Sequence, residues 1–270
     1  MNNWRKYNGA LIPLTPPHIE VDVSGLEKEI INQNVYFARW TTNFDCNEKT
    51  EFWYVICDRK MDISDYSKNT RNQIRRGIKN CDVRRVDKSI VSEEGYVSYY
   101  EAFSKYNTHL NPKTIEEFHS EIKSLGKEWE FWGIFYNEKM IGYSQNKIIG
   151  NYCDYSTIKF NPNYFRYYSS YALFYTMNQY YLNEKKYKYI NDGARSISHE
   201  TNIQSFLIQK FKFRKAYCKL NIIYSPNIKF ILSIIYPFRS LVSLLKFGFF
   251  TKINILIKHE EIRKSYEKRN

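Results

Sequence analysis

Three consecutive segments with strand character, between residues 131 and 160, constrain the fold of this chain more than any other part of its sequence. They read FWGIFYN, MIGYSQNKII and NYCDYSTIKF. The connections, Asn137 to Lys139 and Gly150 to Asn151, are short and contain residues that tolerate tight turns, so neighbouring strands should pair antiparallel. The sequence therefore predicts a three-stranded antiparallel meander.

Two of these strands have faces that bear on function. The first strand is apolar on both faces, which predicts that it is covered on both sides. In the third strand, the alternation of side chains places Asp154 and Ser156 on one face. The meander therefore carries a carboxylate beside a hydroxyl in an otherwise packed sheet.

The segments on either side of the meander predict further helices and strands. Before it we expect an extended arm, a hairpin, a basic helix and two amphipathic helices, at residues 1–25, 35–57, 67–80, 93–109 and 113–125. After it we expect a helix, a strand, a second helix and a last strand, at residues 166–182, 188–192, 199–211 and 213–224.

The chain is strongly basic, with 41 Lys and Arg against 28 Asp and Glu and a formal charge of +13. This balance suits nucleic acid, an anionic membrane or a phosphate-bearing ligand, and a solvated basic surface is the alternative. The five cysteines form no C-x-x-C pair and the histidines show no H-E-x-x-H spacing, so we expect no metal. No apolar run of signal-peptide length opens the sequence, which favours a cytoplasmic protein.

The basic helix at residues 67–80 carries Arg71, Arg75 and Lys79 at helical spacing, on a different stripe from its apolar residues. No acidic residue lies between Ser67 and Asn80, so an anion that faces these cations is not supplied locally. The stripe is either a ligand-binding surface or a solvated face, and the sequence leaves both open.

The order of meander, helix, strand, helix and strand resembles the acyltransferase core of the GNAT superfamily. The segment SKNTRNQIRRGIKN is similar to the SK-x-x-R-x-x-I-R-(R/K) segment of FemAB-like acyltransferases, and INDGARS and ETNIQSFLIQKFKF are similar to the region after the family's fifth strand. The resemblance, which extends to acetyltransferases of polysaccharide biosynthesis, implies an α/β (α+β) fold with a mixed, mainly antiparallel sheet flanked by helices. It also implies a degenerate GNAT-like half at 1–128, the transferase core at 129–224 and a tail at 225–270.

The resemblance also implies a donor and its site. In GNAT proteins two strands separate, the pantetheine amide of acyl-CoA pairs with the exposed edge, and the pyrophosphate rests on the next helix N-terminus. Here that helix start would supply Arg166, Ser169 and Ser170. Ser169 and Tyr171 replace the glycines of the usual pyrophosphate loop, and the position of the family's acid tyrosine holds Ile208. FemAB-like proteins share such losses and take an aminoacyl group from charged tRNA.

Polar residues near the open end of the sheet are the candidates for chemistry. Acylation of an amine needs a positioned base, and we expect Asp154 or Asp192 to take the proton or orient the amine. Asp192 before Gly193 can equally form a turn, and Glu200 can equally favour the positive end of its helix. The predicted catalytic residues are Asp154, Asp192 and Glu200. The predicted substrate-binding residues are Arg71, Arg75, Lys79, Arg195 and Ser156.

The tail at 225–270 lies outside the resemblance. Its apolar stretch FILSIIYPFRSLVSLLKFGFF is interrupted by Pro237, Arg239 and Lys246, so it holds no clean membrane-spanning segment. Apolar clusters with recurring cations favour an interfacial helix on anionic lipid. The alternative is a pair of helices packed on the domain or on a second subunit.

With these residues, the resemblance implies an acyltransferase that moves an acyl group from acyl-CoA to an amine of a sugar or cell-envelope precursor. Acetyl is the favoured acyl group. A hydroxyl is the less favoured acceptor, and the enzyme would be cytoplasmic or peripheral on the inner membrane face. One alternative replaces the donor with aminoacyl-tRNA. The other is a non-catalytic GNAT-like module that binds nucleic acid or membrane.

Overall fold

A computed structural model describes residues 3–106, 111–197, 202–245 and 248–267. The chain forms two compact units. The first unit comprises Met1–Tyr54, Ala194–Thr201 and Lys215–Asn270, and the second comprises Val55–Gly193 and Asn202–Arg214. These units follow contacts in space, whereas the boundaries at residues 128 and 224 follow a sequence resemblance and stay a prediction.

The regular elements are numbered in chain order. The strands are β1 (Trp4–Tyr7), β2 (Ala10–Pro13), β3 (Phe37–Thr42), β4 (Phe52–Cys57), β5 (Asp82–Val86), β6 (Trp129–Tyr136), β7 (Lys139–Ile149), β8 (Tyr152–Phe160), β9 (Tyr189–Ala194) and β10 (Arg214–Tyr224). The α-helices are α1 (Leu26–Asn32), α2 (Lys68–Asn80), α3 (Lys88–Phe103), α4 (Ile115–Ser124), α5 (Ser169–Asn178), α6 (Asn202–Phe211), α7 (Pro226–Ile235), α8 (Arg239–Val242) and α9 (Phe249–Glu267).

The predicted meander forms the sheet of the second unit. Strands β6, β7 and β8 pair antiparallel in sequence, β5 adds antiparallel to β6, and β9 adds parallel to β8. The order across this sheet is β9-β8-β7-β6-β5. The prediction that the first meander strand is covered on both sides is confirmed, since Phe131–Phe135 is buried throughout.

Helices cover both faces of this sheet. On one face, α3 and α4 pack through a core of Val91, Tyr99, Phe118, Ile122, Phe131, Phe135, Met140 and Tyr143. The other face meets α5 and the π-helical turn Gln179–Glu184 that follows it. There the Trp132 indole donates to the Tyr181 hydroxyl at 2.9 Å, and Tyr155 packs against Phe174.

The first unit begins with a hairpin where the sequence had suggested an extended arm. Strands β1 and β2 pair antiparallel around the two-residue turn Asn8-Gly9, whose φ angles are 47° and 77°. Asn-Gly is the residue pair that this tight turn favours, because both positions require positive φ. The prolines of this region suggested an arm and concealed the hairpin.

The predicted hairpin between the segments at 35–44 and 51–57 is wrong. The sheet of the first unit has the order β1-β2-β3-β10-β4, so β10 lies between β3 and β4. The segment between β3 and β4, which we expected to form the hairpin turn, is instead hydrogen-bonded to β10. The Cys46 amide donates to the Tyr217 carbonyl at 3.0 Å, and the Thr50 hydroxyl donates to the Cys218 carbonyl at 2.9 Å.

The C-terminal helices pack within the first unit. Leu232 of α7 contacts Ile253 and Ile257 of α9 in one buried cluster. The guanidinium of Arg39 on β3 lies 3.0 Å from the His259 ring on α9. None of the helices in the described ranges is long and apolar enough to cross a bilayer.

Candidate active site

Strands β8 and β9 separate after a short stretch of pairing. Their parallel register runs from Tyr152 with Tyr189 to Asp154 with Asn191. Beyond Asp154, β8 continues to Phe160 alongside β7. Within the described residues, its edge towards β9 has no further strand pairing, so backbone groups of β8 are left for a ligand to pair with.

A β-bulge lies just inside this opening. On β7, Asn146 pairs with Tyr155 and Gln145 pairs with Thr157, so Ser156 is the extra residue on β8. Bulges bend a strand and redirect its side chains. Ser156 is exposed at this bend, two positions beyond Asp154.

Asp154 is held by a side chain of the neighbouring strand. The Asn191 amide nitrogen donates to Asp154 Oδ1 at 2.6 Å, and the Asn191 amide oxygen accepts from the Gly193 backbone N–H at 2.9 Å. The second bond fixes which end of the amide faces the carboxylate. Asn191 therefore orients Asp154, and the turn at Gly193 orients Asn191.

Asp192 has a different electrostatic environment. Strand alternation turns it to the opposite face from Asn191. Burial, followed by the negative charge of Asp154, raises the pKa of the Asp192 carboxyl from 3.8 to about 8. Asp192 therefore holds its proton at neutral pH. Asp154 and Asp192 therefore differ in protonation and lie on opposite faces of the sheet, and a catalytic role for Asp192 stays a prediction.

Aromatic rings close the inner end of the opening. Tyr152 and Tyr189 stack with their ring centroids 5.1 Å apart. On the face towards α5, the Tyr155 hydroxyl donates to Asn178 Oδ1 at 2.9 Å, and the Tyr155 ring packs near Phe213. A donor that enters the opening would therefore meet a fixed and largely apolar wall.

The helix expected to hold a pyrophosphate starts later than predicted and is covered. A 3₁₀ turn runs over Pro162–Tyr167, and α5 begins at Ser169 after Tyr168 in a left-handed conformation. Gly77 of α2 packs against this start so closely that a Cβ there would lie 2.6 Å from the Tyr168 carbonyl oxygen. Ser169 is fully buried. A phosphate could reach the first turn of α5 only if α2 moved.

The other two predicted phosphate ligands lie nearby. The exposed Arg166 guanidinium donates to the Tyr167 hydroxyl at 2.9 Å and lies 4.9 Å from the Tyr167 ring centroid. Ser170 is half-buried. The assignment of a phosphate to Arg166, Ser169 and Ser170 stays a prediction.

The basic helix forms as predicted, with Ser67 as its N-cap. The Arg71 guanidinium is not fully solvated, because it donates to the Ser64 and Tyr66 carbonyls at 3.0 and 3.1 Å. Arg75 and Lys79 are exposed. Their role in substrate binding stays a prediction.

Of the remaining predicted residues, Arg195 has partners of its own and Glu200 lies outside the described ranges. Arg195 belongs to the first unit, where it pairs with Glu51 at 3.1 Å and lies 4.6 Å from the Trp53 ring centroid. Glu200 lies outside the described residues. Within the described ranges, no group of three or more His, Cys, Asp and Glu side chains could hold a metal ion.

Sequence reasoning missed Asn191 as a site residue and the contact of Arg76 with the start of α5. Asn191 was read only as part of a strand before an Asp-Gly turn, because its contact with Asp154 depends on the register of two parallel strands. Arg76 donates to the Tyr168 hydroxyl at 3.1 Å, beside the start of α5. Its place next to Gly77 in α2 was the available signal, since the glycine marks the side of the helix that packs closely.

No family model matches this sequence, and no curated protein matches it. Among solved structures, FemX superposes with a TM-score of 0.57 and 8% identity, covering 86% of this chain and 85% of FemX. The fold is that of the GNAT-like acyltransferases. The C-terminal domain of a putative lysylphosphatidylglycerol synthetase from Agrobacterium fabrum also superposes, with a TM-score of 0.51 and 11% identity over 86% of this chain and 84% of that domain. The predicted fold class is thereby confirmed.

Proposed function

We propose that the protein is an acyltransferase whose reaction takes place at the opening between β8 and β9. The observation that carries this proposal is the end of β8–β9 pairing at Asp154, followed by the bulge at Ser156. The exposed edge of β8 can pair with an amide of the donor, and a fixed carboxylate stands beside it. The acceptor is an amine, or less favourably a hydroxyl, of a sugar or cell-envelope precursor.

Asp154 is the carboxyl group that takes part in the proton transfers. The amine nitrogen attacks the carbonyl carbon of the donor, and a C–N bond forms as the C–S or C–O bond breaks. Asp154, oriented by Asn191, takes the proton that the amine loses. The leaving thiolate or alkoxide takes a proton from solvent, since Asp192 lies on the opposite face of the sheet from Asp154.

Acyl-CoA and aminoacyl-tRNA are the two donors to compare. The edge of β8 suits the pantetheine amide of acyl-CoA, but the first turn of α5 is covered by α2 and does not fit a pyrophosphate as packed. Because α2 covers this turn, aminoacyl-tRNA is kept as the second candidate donor. Arg75 and Lys79, both exposed on α2, would then contact the RNA backbone. One similar structure is named for the synthesis of an aminoacylated lipid, which agrees with this candidate.

Ligand-induced thermal stabilisation of the full chain separates the donors. A ligand that binds only the native protein raises its melting temperature, by mass action. Acetyl-CoA, CoA and charged bulk tRNA are compared at equal concentration, with uncharged tRNA to show whether the aminoacyl end matters. Transfer is then measured by mass spectrometry, with nucleotide-linked amino sugars as acceptors.

The results discriminate between three outcomes. A rise with acetyl-CoA and a product heavier by one acyl group support the CoA-dependent enzyme. Salt-sensitive stabilisation by charged tRNA, with transfer of the amino acid, supports the second candidate. Binding without transfer to any acceptor, unchanged in Asp154→Asn, would overturn the enzyme and support a non-catalytic binding module.

A further inference from the structure

Large apolar side chains form an exposed stripe along residues 230–244, from α7 to just past the end of α8. Their exposed fractions lie between one half and three quarters: Phe230 67%, Ile234 53%, Phe238 59%, Leu241 66% and Leu244 74%. Phe230 and Ile234 are one turn apart on α7, Phe238 ends the 3₁₀ turn Tyr236–Phe238, Leu241 lies on α8, and Leu244 follows α8. We call these five residues the apolar stripe.

The apolar stripe does not belong to the hydrophobic core, because other residues of the same segment form its buried face. Leu232 is buried against α9, and Ile228, Ile235 and Val242 pack around the same cluster. On α7, the inward residues Ile228, Leu232 and Ile235 lie roughly opposite Phe230 and Ile234. The segment therefore has one apolar face that packs against the protein and a second apolar face that is exposed to solvent.

The area of the stripe is comparable to that of the largest apolar patches on monomeric proteins, which are often functional. If a large side chain exposes about 150–200 Å² when free, five such residues at these fractions expose on the order of 500 Å². The largest apolar patch on an ordinary monomer is about 300–600 Å² and is often functional. Its size indicates a surface that binds a partner.

The charge of the surrounding sequence identifies that partner. No Asp or Glu occurs from Thr201 to His259, whereas Lys229, Lys252 and Lys258 are exposed. A second copy would bring the same cations to the contact, and like charges oppose such pairing. An anionic bilayer supplies the opposite charge and accepts apolar side chains without a matching shape.

We propose that the apolar stripe inserts into the surface of an anionic lipid bilayer, with the lysines of residues 225–258 attracted to lipid phosphates. The helices lie on the membrane and do not cross it. This interaction needs no acyl transfer, and its test is independent of activity. It would place the enzyme where a lipid-linked acceptor is found.

Flotation of the full chain with vesicles tests this proposal. The vesicles are phosphatidylcholine alone or phosphatidylcholine with about 30% phosphatidylglycerol, at about 0.1 M salt. We expect the protein to float with the anionic vesicles, to float much less with the neutral ones, and to be released in part by higher salt.

Paired substitutions show whether the stripe is responsible. Phe230→Ser with Leu241→Ser should weaken binding at least about tenfold, because each removes on the order of 100 Å² of inserted apolar surface. Ile31→Ser with Val97→Ser is the matched control, since these side chains are 61% and 50% exposed elsewhere. The control should float like the original protein, and all three should melt at similar temperatures.

Three results would overturn the proposal. The first is a chain that does not float with anionic vesicles, and the second is equal flotation of the stripe variant and the original. The third is a dimer in light scattering that the stripe variant converts to a monomer, which would make a second copy the occupant of the stripe.

Discussion

The side-chain amide of Asn191 donates a hydrogen bond to the carboxylate of Asp154 at 2.6 Å, from the adjacent parallel strand. These residues form the last pair before β8 and β9 separate. The bond therefore joins the point where the sheet opens to the group that we propose as the base.

Replacing Asp154 with Asn should reduce transfer by roughly 10²- to 10⁴-fold, the usual contribution of a general base. Asn191→Ala should reduce it less, because the carboxylate remains but loses its orientation. Initial rates with the donor that stabilises the protein measure both. Asp82→Asn, at a half-exposed position on β5, is the matched control. Rates unchanged in both site variants would remove Asp154 from the mechanism.

The raised pKa of Asp192 predicts a pH dependence of stability. Its folded pKa, about 8, lies above the unfolded value near 3.8, so the folded protein binds the proton more tightly. The free energy of unfolding should therefore fall as pH rises from about 4 to about 8. Asp192→Asn should remove this slope and stabilise the protein above pH 8 by up to about 6 kcal/mol.

Urea unfolding at several pH values measures the effect of Asp192. Glu138→Gln is the control, since its side chain is 89% exposed. The difference between Asp192→Asn and the original protein isolates this group from other titrating residues. A constant difference across the pH range would show that Asp192 is ionised at neutral pH and that its pKa is not raised.

Local patterns in the sequence predicted much of the second unit. The meander, the basic helix, and the strand and helix around residues 188–211 follow from alternation, helical spacing and turn residues. The failures concern partners that are distant in sequence. Pairing of β10 between β3 and β4 brings together residues about 170 positions apart, and no local pattern encodes it.

Only part of the candidate site could be predicted, because some of its contacts join residues that are distant in sequence. Asp154 and Asp192 could be selected as carboxyl groups in or beside strands. Asn191 as the partner of Asp154 depends on a parallel register, and the covering of Ser169 depends on the packing of Gly77. Both are properties of assembled elements, so the individual segments could not reveal them.

Gly77→Ala should destabilise the second unit although Ala favours helices. An exposed Gly-to-Ala change inside a helix gains about 0.5–1 kcal/mol. Here the new Cβ would lie 2.6 Å from the Tyr168 carbonyl oxygen and 3.0 Å from the Ala172 nitrogen. We expect a net loss of about 1–3 kcal/mol in the free energy of unfolding. Asn72→Ala, exposed on the same helix, should be neutral or slightly stabilising, and equal effects would contradict the close packing.

The Tyr181 hydroxyl satisfies several buried groups at once. It accepts from the Trp132 indole at 2.9 Å and from the Asn146 amide at 3.2 Å, and it donates to Glu130 at 2.9 Å. Tyr181→Phe would leave buried donors without this partner, which should cost about 2–3 kcal/mol.

Tyr180→Phe is the matched control for this network. The Tyr180 hydroxyl accepts from Arg85, whose side chain is 49% exposed, so its loss should change stability by less than about 0.5 kcal/mol. Chemical denaturation compares the two variants. If they lose equal stability, the buried network does not contribute as we infer.

The contact between Arg39 and His259 predicts acid sensitivity of the first unit. The Ile255 carbonyl accepts from His259 Nδ1 at 2.8 Å, so in the neutral ring Nε2 accepts from Arg39 at 3.0 Å. Burial, with the Arg39 charge, lowers the pKa of His259 from 6.5 to about 4. A second ring proton would face the guanidinium, so the folded protein resists protonation.

The unfolded chain therefore binds this proton more readily between pH 6.5 and 4. Stability should fall as pH decreases through this range, by on the order of 3 kcal/mol, and be unaffected by His259 above it. His259→Gln keeps an acceptor for Arg39 but cannot titrate, so its unfolding free energy should lack this slope. Urea unfolding from pH 7.5 to 4 provides the test. The same slope in His259→Gln would show that other groups cause the acid sensitivity, because only the histidine has been removed.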